Sequence, residues 1–280
     1  MTTNERGLRI LHLSDTHLFG DHTLHHGVVD TRAALRRVLD RAAALDAVDV
    51  VVASGDLSDD GSPESYRRLR TELDPWAKAR GASVVYVMGN HDLRDGFEAE
   101  IGARTGVIAV DGYRIVQLDS SVPGFGYGDV DAGQLEWLRS TLADPAEHGT
   151  VVVLHHPPVP ASTPLLATLE LQHPAAILEV CAAADVRLIL SGHYHHGLAA
   201  EAAGIPVVVA PGVTNTSDVI APAGYERATV GAGFALIDLP LTGSPRATFI
   251  AATGPDDGTE LYLLGADDIT RIAEESGPPR

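Results

Sequence analysis

Short apolar runs alternate with amphipathic stretches through the first two-thirds of the chain. Residues 8–13, 49–53 and 83–88 are rich in Val, Leu and Ile. They are short enough for buried strands and are bounded by polar or glycine-containing turns. Between them the apolar positions change to helical spacing. Leu35, Val38, Leu39, Ala42 and Leu45 form one such face, with Thr31 predicted as its cap. Tyr66, Leu69, Leu73 and Trp76 form a second, opened by Ser62 at the cap and Pro63 in the first turn. The order β-α-β-α-β predicts parallel strands joined by crossover helices.

After residue 92 the pattern changes. Runs at 107–110 and 113–119 flank Asp111-Gly112, a hairpin signal. A glycine-rich loop spans 124–128, and Asp131 with Gln134 predicts the cap of a helix bearing Leu135, Leu138 and Leu142. Strands follow at 150–154 and 187–190, with a helix opened by Pro174 between them. From about residue 199 the chain reads as strand-rich, with runs at 206–210, 234–239, 247–251 and 260–264 and a short helix from Ala266. No repeat or linker interrupts it. The expectation is one α/β domain over 1–280, with a strand-rich C-terminal elaboration.

Composition narrows the partners. A chain of 280 residues can bury a large core. The net charge of −18 argues against a nucleic-acid polymer and against an anionic membrane surface. It leaves room for a small anionic substrate, because bound metal ions invert the local field. Cys181 is the single cysteine, so no intrachain disulfide forms. Residues 1–6 lack the apolar core of a signal peptide, and no run approaches the roughly 20 apolar residues of a membrane span. A cytoplasmic location is expected.

The candidate chemistry sits where the strands stop. The ends read Ser14-Asp15-Thr16-His17, Ser54-Gly55-Asp56, Gly89-Asn90-His91-Asp92, His155-His156-Pro157-Pro158 and Ser191-Gly192-His193-Tyr194-His195-His196. Open α/β sheets build their sites at the carboxyl ends of strands. Any one of these stretches is ordinary surface polarity. Together they predict convergence at one edge of a sheet. Imidazole and carboxylate donors suit a pair of Mn, Fe or Zn ions. Such pairs, about 3.5–4 Å apart, hold a phosphoryl group and turn water into hydroxide at neutral pH. Among the other histidines, His12 is expected in the core. The His22–His26 loop is expected to be mostly solvated. His156 and His196 should face away or contact solvent, and His148 and His173 should lie on the surface.

Taken in order, Asp15-Thr16-His17, Gly55-Asp56, Gly89-Asn90-His91-Asp92, His155 and Gly192-His193-Tyr194-His195 resemble the motif set of the calcineurin-like metallophosphoesterases. The closer resemblance, over about 8–210, is to bacterial class III cyclic-nucleotide phosphodiesterases of the actinobacterial type. It runs through Leu11-His12-Leu13-Ser14-Asp15-Thr16-His17-Leu18 and Leu154-His155-His156-Pro157-Pro158. The resemblance implies a four-layer α-β-β-α sandwich with a two-metal site at one edge. Asp15, His17, Asp56 and His195 would hold one ion. Asp56, Asn90, His155 and His193 would hold the other, with Asp56 bridging. His91 would act on substrate without binding metal, and Asp59 and Asp92 would support the ligands. The implied reaction is hydrolysis of 3′,5′-cyclic AMP by metal-bridged hydroxide, in a homodimer. The alternatives are a phosphodiesterase for 2′,3′-cyclic nucleotides or glycerophosphodiesters, and a non-catalytic scaffold, which would be expected to have lost ligands. Relatives can carry histidine where this chain has Gly126 and Tyr127, and its His22–His26 loop is unusually rich in histidine. His26 and Tyr127 are therefore the expected substrate contacts.

Overall fold

Alternation along the strands sorts the side chains into layers. The computed structural model describes residues 6–279; residues 1–5, most of the stretch expected to lack the apolar core of a signal peptide, lie outside it. Strands β1 (Leu8–Leu13), β2 (Val50–Ser54) and β3 (Ser83–Val87) pair in parallel. Antiparallel β12 (Gly233–Leu239) and β13 (Arg246–Ala251) extend this sheet to the order β13-β12-β1-β2-β3. A second sheet runs β4-β5-β6-β7-β9-β8, from β4 (Gly106–Val110), β5 (Tyr113–Gln117), β6 (Thr150–Val153), β7 (Val186–Ser191), β8 (Leu198–Ala202) and β9 (Ile205–Val209).

Ile10, Val50, Val52 and Val85 of the first sheet pack against Ile115, Val151, Val153 and Leu188 of the second. Their sequence neighbours point the other way. Leu11, Leu13 and Val51 meet helices α1 (Thr31–Ala42) and α2 (Pro63–Lys78). Val116, Val152 and Ile189 meet α4 (Ala132–Thr141) and α5 (Pro174–Ala182). The period-2 pattern thus yields the four-layer α-β-β-α sandwich. His12 falls on the inner face, where its Nε2 lies 2.8 Å from Ser54 Oγ.

Local expectations fare unevenly. Asp111 and Gly112 both take positive φ, 48° and 82°, in the β4–β5 turn. The cap of α1 is Asp30, not Thr31. The Asp30 carboxylate accepts from Ala33 N at 2.9 Å, and its charge favours the helix N-terminus more than a hydroxyl does. A third small sheet, β10 (Asn215–Ser217), β11 (Glu226–Val230) and β14 (Glu260–Leu264), sits with helix α6 (Ala266–Ser276) beside the strand ends. A short helix α3 (Arg94–Glu100) follows the third strand end. Among the described residues no helix is long and apolar enough to cross a membrane.

Candidate metal centre

The five polar strand ends meet, but not along one sheet. Those of β1, β2 and β3 come from the first sheet and those of β6 and β7 from the second, so the site spans the open edge of the sandwich. Asp15, His17, Asp56 and His195 bring one donor atom each within 4.8 Å of one another. His17 Nε2 lies 3.3 Å from His195 Nε2 and 3.6 Å from Asp56 Oδ2. His195 Nε2 is 3.4 Å from Asp15 Oδ1. The same Asp56 oxygen lies 3.3 Å from His155 Nε2, and the His193 ring centre lies 5.1 Å from that of His155. Asp56 is therefore common to two groups of donors.

Each imidazole is turned by its second nitrogen. His155 Nδ1 donates to the Ser54 carbonyl at 2.8 Å, which leaves Nε2 facing Asp56. His193 Nε2 donates to the Leu169 carbonyl at 3.1 Å, which leaves Nδ1 with the lone pair. His17 Nδ1 lies 2.9 Å from Asp59 Oδ1, which leaves Nε2 inward. Such outer partners fix the tautomer a cation needs. Two inward atoms are buried without a hydrogen-bond partner: Asn90 Oδ1 and His155 Nε2. Clustered orphaned acceptors are costly in a native fold unless something unshown binds there. The donor set fits metal ions.

The backbone is held as firmly as the rings. Asp15, His17, Asp56, His193 and His195 all have positive φ, between 41° and 68°. Left-handed backbone at non-glycine residues costs about 1–3 kcal/mol each and persists where the surroundings enforce it. Gly55 and Gly89 permit the closest approaches: a Cβ at Gly55 would strike the His155 ring, and one at Gly89 would strike Asp56. Asp92 ties the second and third strand ends together. Its carboxylate accepts from Leu57 N at 3.1 Å, Ser58 N at 2.9 Å and Gly89 N at 2.8 Å. Asp92→Ala leaves those three buried donors unpaired. At about 1–3 kcal/mol per donor, the melting temperature is expected to fall by on the order of 10 °C, with Asp92→Asn intermediate. Calorimetry checks this.

Burial and the neighbouring carboxylates set the charge of these rings. Burial lowers His17 to about 3 and holds His193 well below its ordinary value, so both rings are neutral. Burial also opposes charge on His155, but Asp56 and Asp15 outweigh it and push that ring up to about 9. Burial raises Asp15 as well, beyond what His195 and His155 recover. Without ions, His155 carries a proton between two carboxylates. Partial burial works against Asp59 ionising, yet His17, His25 and His91 hold it well below the usual carboxylate range. One oxygen of Asp59 faces all three rings, at 2.9, 3.4 and 3.4 Å for the Nδ1 atoms of His17, His25 and His91.

A cavity of about 580 Å³ opens over these donors, floored by His17, Asn90, His91 and His195. His91 is 45 % exposed within it. His26 lines it as expected; Tyr127 does not, and its neighbours Phe125 and Gly126 do. The His22–His26 loop is not simply solvated, because His25 is only 6 % exposed. His156 and His196 are buried too. His156 spends both nitrogens on Ser120 Oγ and the Gly126 carbonyl, at 2.9 and 3.1 Å, and so braces the glycine-rich loop. His25, Asn215 and Tyr262 were missed as cavity residues. The histidine pair His25-His26 was the one signal on offer.

A family model described as calcineurin-like phosphoesterase matches residues 8–197, which include every candidate donor. A cAMP/cGMP dual specificity phosphodiesterase of Mycobacterium tuberculosis is 41% identical over 231 residues, 80% of this chain and 73% of that one. A 3′,5′-cyclic adenosine monophosphate phosphodiesterase of Pseudomonas aeruginosa is 34% identical over 66% of this chain and 69% of its own length. Among solved structures, a dimetal phosphatase from Danio rerio aligns with a TM-score of 0.59 at 14% identity, over 89% of this chain and all of that one. At that identity the likeness speaks for the fold. With the motif order, the layers and the family match in agreement, the chain belongs to the calcineurin-like phosphoesterases.

Proposed function

We propose that the chain is a two-metal phosphodiesterase that opens 3′,5′-cyclic nucleotides, cyclic AMP among them, to nucleoside monophosphates. The observation that carries this reading is Asp56, whose single carboxylate oxygen faces both His17 and His155 at 3.6 and 3.3 Å. One ion would be held by Asp15, His17, Asp56 and His195, the other by Asp56, Asn90, His155 and His193. A bound pair of this kind supplies positive charge for the phosphate and a water of lowered pKa. Mn, Fe and Zn all suit the donors. The named activities of the relatives support the substrate class.

The chain's own residues do the rest. Asp59 orients His17 and His91, Asp92 holds the Asn90 turn, and the Leu169 carbonyl holds His193. In this reading His91, which lines the cavity, touches substrate and hands a proton to the departing ribose oxygen. A substrate panel tests the reading. Turnover of 3′,5′-cyclic AMP and cyclic GMP should exceed that of 2′,3′-cyclic AMP and glycerophosphodiesters. Preference for the latter two would overturn the assignment of substrate.

Ion binding must displace the proton on His155, whose folded pKa is about 9. Metal uptake should therefore release protons and weaken as pH falls below about 9. Calorimetric titrations in two buffers of different ionisation enthalpy measure the proton count; none released would contradict the ligand role of His155. The assembly in this reading is a homodimer, supported by the family resemblance and by exposed apolar Val219, Ile220, Tyr225 and Leu263. Sedimentation should show a dimer at micromolar concentration, and a monomer there would remove that part.

A further inference from the structure

The cavity above the donors has two chemically different sides. Beside the histidines, Phe125, Leu165, Leu169, Tyr262, Leu264 and Ile272 give the cavity an apolar lining. Tyr262 and Leu264 belong to β14 and Ile272 to α6, all downstream of residue 197, where the family match ends. The donors lie in the matched part of the chain, whereas the apolar wall draws its Tyr262, Leu264 and Ile272 from outside it.

Specific contacts seat this wall. Gly126 N donates to the Ser276 carbonyl at 2.8 Å, which joins the glycine-rich loop to the end of α6. Glu226 of β11, 1 % exposed, accepts from Leu165 N at 3.1 Å. Leu165 and Leu169 pack with Ile269 of α6. Tyr262 meets the His26 ring edge-on at 5.2 Å, which orients the aromatic plane. One buried amide lines the cavity on this side. Asn215 is 2 % exposed, and its carboxamide oxygen has no partner among the described residues. Its strand is tied to the floor, because Ser217 N donates to the His195 carbonyl at 3.3 Å. An amide kept dry and unpaired is unfavourable unless a ligand satisfies it.

We propose that this wall is the nucleoside subsite. The base lies against Tyr262 and the apolar side chains of β14 and α6, and Asn215 hydrogen-bonds the ribose 2′-hydroxyl. The inference rests on the cyclic-nucleotide reading above and adds the residues that choose among phosphodiesters. With phosphate on the histidine floor, the ribose comes next and the base lies farthest out. In a 3′,5′-cyclic nucleotide the 2′-hydroxyl is the ribose hydroxyl left free, whereas a 2′,3′-cyclic ester has none at that position. Asn215 therefore favours the 3′,5′ isomer. The wall offers surface rather than hydrogen-bonding edges, and stacking tolerates any base. Adenine and guanine are accepted alike. The cavity's 580 Å³ is in the range that encloses a small ligand.

Steady-state kinetics of the metal-loaded protein test this with three diesters: cyclic AMP, its 2′-deoxy analogue, and base-less ribose 3′,5′-cyclic phosphate. Tyr262→Ala should raise KM for cyclic AMP about tenfold, the effect of losing one base–aromatic contact, with little change in kcat. The base-less diester should be unaffected, and Tyr262→Phe should restore the KM. Tyr262→Leu, which keeps bulk without a ring, carries the same expectation if the alanine variant does not fold. Asn215→Ala should lower kcat/KM for cyclic AMP about fivefold and leave the 2′-deoxy analogue unchanged. Equal effects on all three diesters, or no effect of either variant, would overturn the subsite. A wild-type protein that hydrolyses glycerophosphodiesters but none of the three would overturn the cyclic-nucleotide reading beneath it.

Discussion

Replacing Asp56 with alanine is expected to cut turnover by about 10³-fold or more and to bring the metal content from about two ions per chain to below one. Losing an outer partner of a metal ligand typically costs about 10–100-fold in affinity or activity. Asp56 does more than such a partner. Its Oδ2 faces both His17 and His155, at 3.6 and 3.3 Å, and its Oδ1 accepts from His91 N at 2.9 Å. Truncation removes a donor from each group and frees the turn that carries His91. His17→Ala should be milder, because it takes one donor from one group. Asp56→Asn, which keeps the shape and the His91 N contact, separates loss of charge from loss of packing. Elemental analysis and kinetics on the same samples decide it. Two ions and near-native turnover in Asp56→Ala would remove the bridging role.

His91→Ala is expected to keep both ions and lose about 10²–10⁴-fold in turnover of cyclic AMP, the usual contribution of a positioned general acid. Opening a 3′,5′-cyclic diester expels a ribose oxygen, and an alkoxide leaves poorly without a proton. Partial burial works against charge on His91, but Asp56 and Asp59 push its pKa up to about 9. Cations at Asp56 would reduce that share and leave the Asp59 contact, at 3.4 Å from Nδ1. The sign follows directly. The acid form is the working form, so activity on cyclic AMP should be lost as pH rises through the folded pKa of His91. A nitrophenyl phosphodiester, whose leaving group needs little protonation, should show neither the pH limb nor most of the loss. Equal losses on both substrates, with metals retained, would assign His91 to holding the phosphate instead.

The strand ends were legible because their signals are local. An apolar run that stops at Asp-x-His or Gly-Asn-His-Asp is visible within a few residues, whereas β2 and β6 are buried on both faces and show no alternation, so the four layers were implied only by the resemblance. What crosses the chain was not legible. Asp59 gathers His17, His25 and His91 around one oxygen, a contact made by the register of loops about 30–40 residues apart. His25 therefore read as surface. The convergence was placed on one sheet, because nothing in the strands themselves says that β6 and β7 lie in a second sheet facing the first. Phe125 rather than Tyr127 lines the cavity, which the bend of the glycine-rich loop decides. Strand β10 is only three residues long, too short to show a period, so Asn215 gave no signal, and Tyr262 read as one more residue of a C-terminal strand. The Asp30 cap was hidden by Thr31 beside it, an equally plausible capping residue.

Metal reconstitution of the chelated protein tests the central claim most directly. Cyclic AMP hydrolysis is followed as Mn²⁺ is added back in fractions of an equivalent, with bound metal measured on the same samples. The account predicts an inactive chelated protein and activity that rises to a plateau at about two bound ions per chain. Full activity after exhaustive chelation, or two ions bound with no hydrolysis of cyclic AMP, would contradict it.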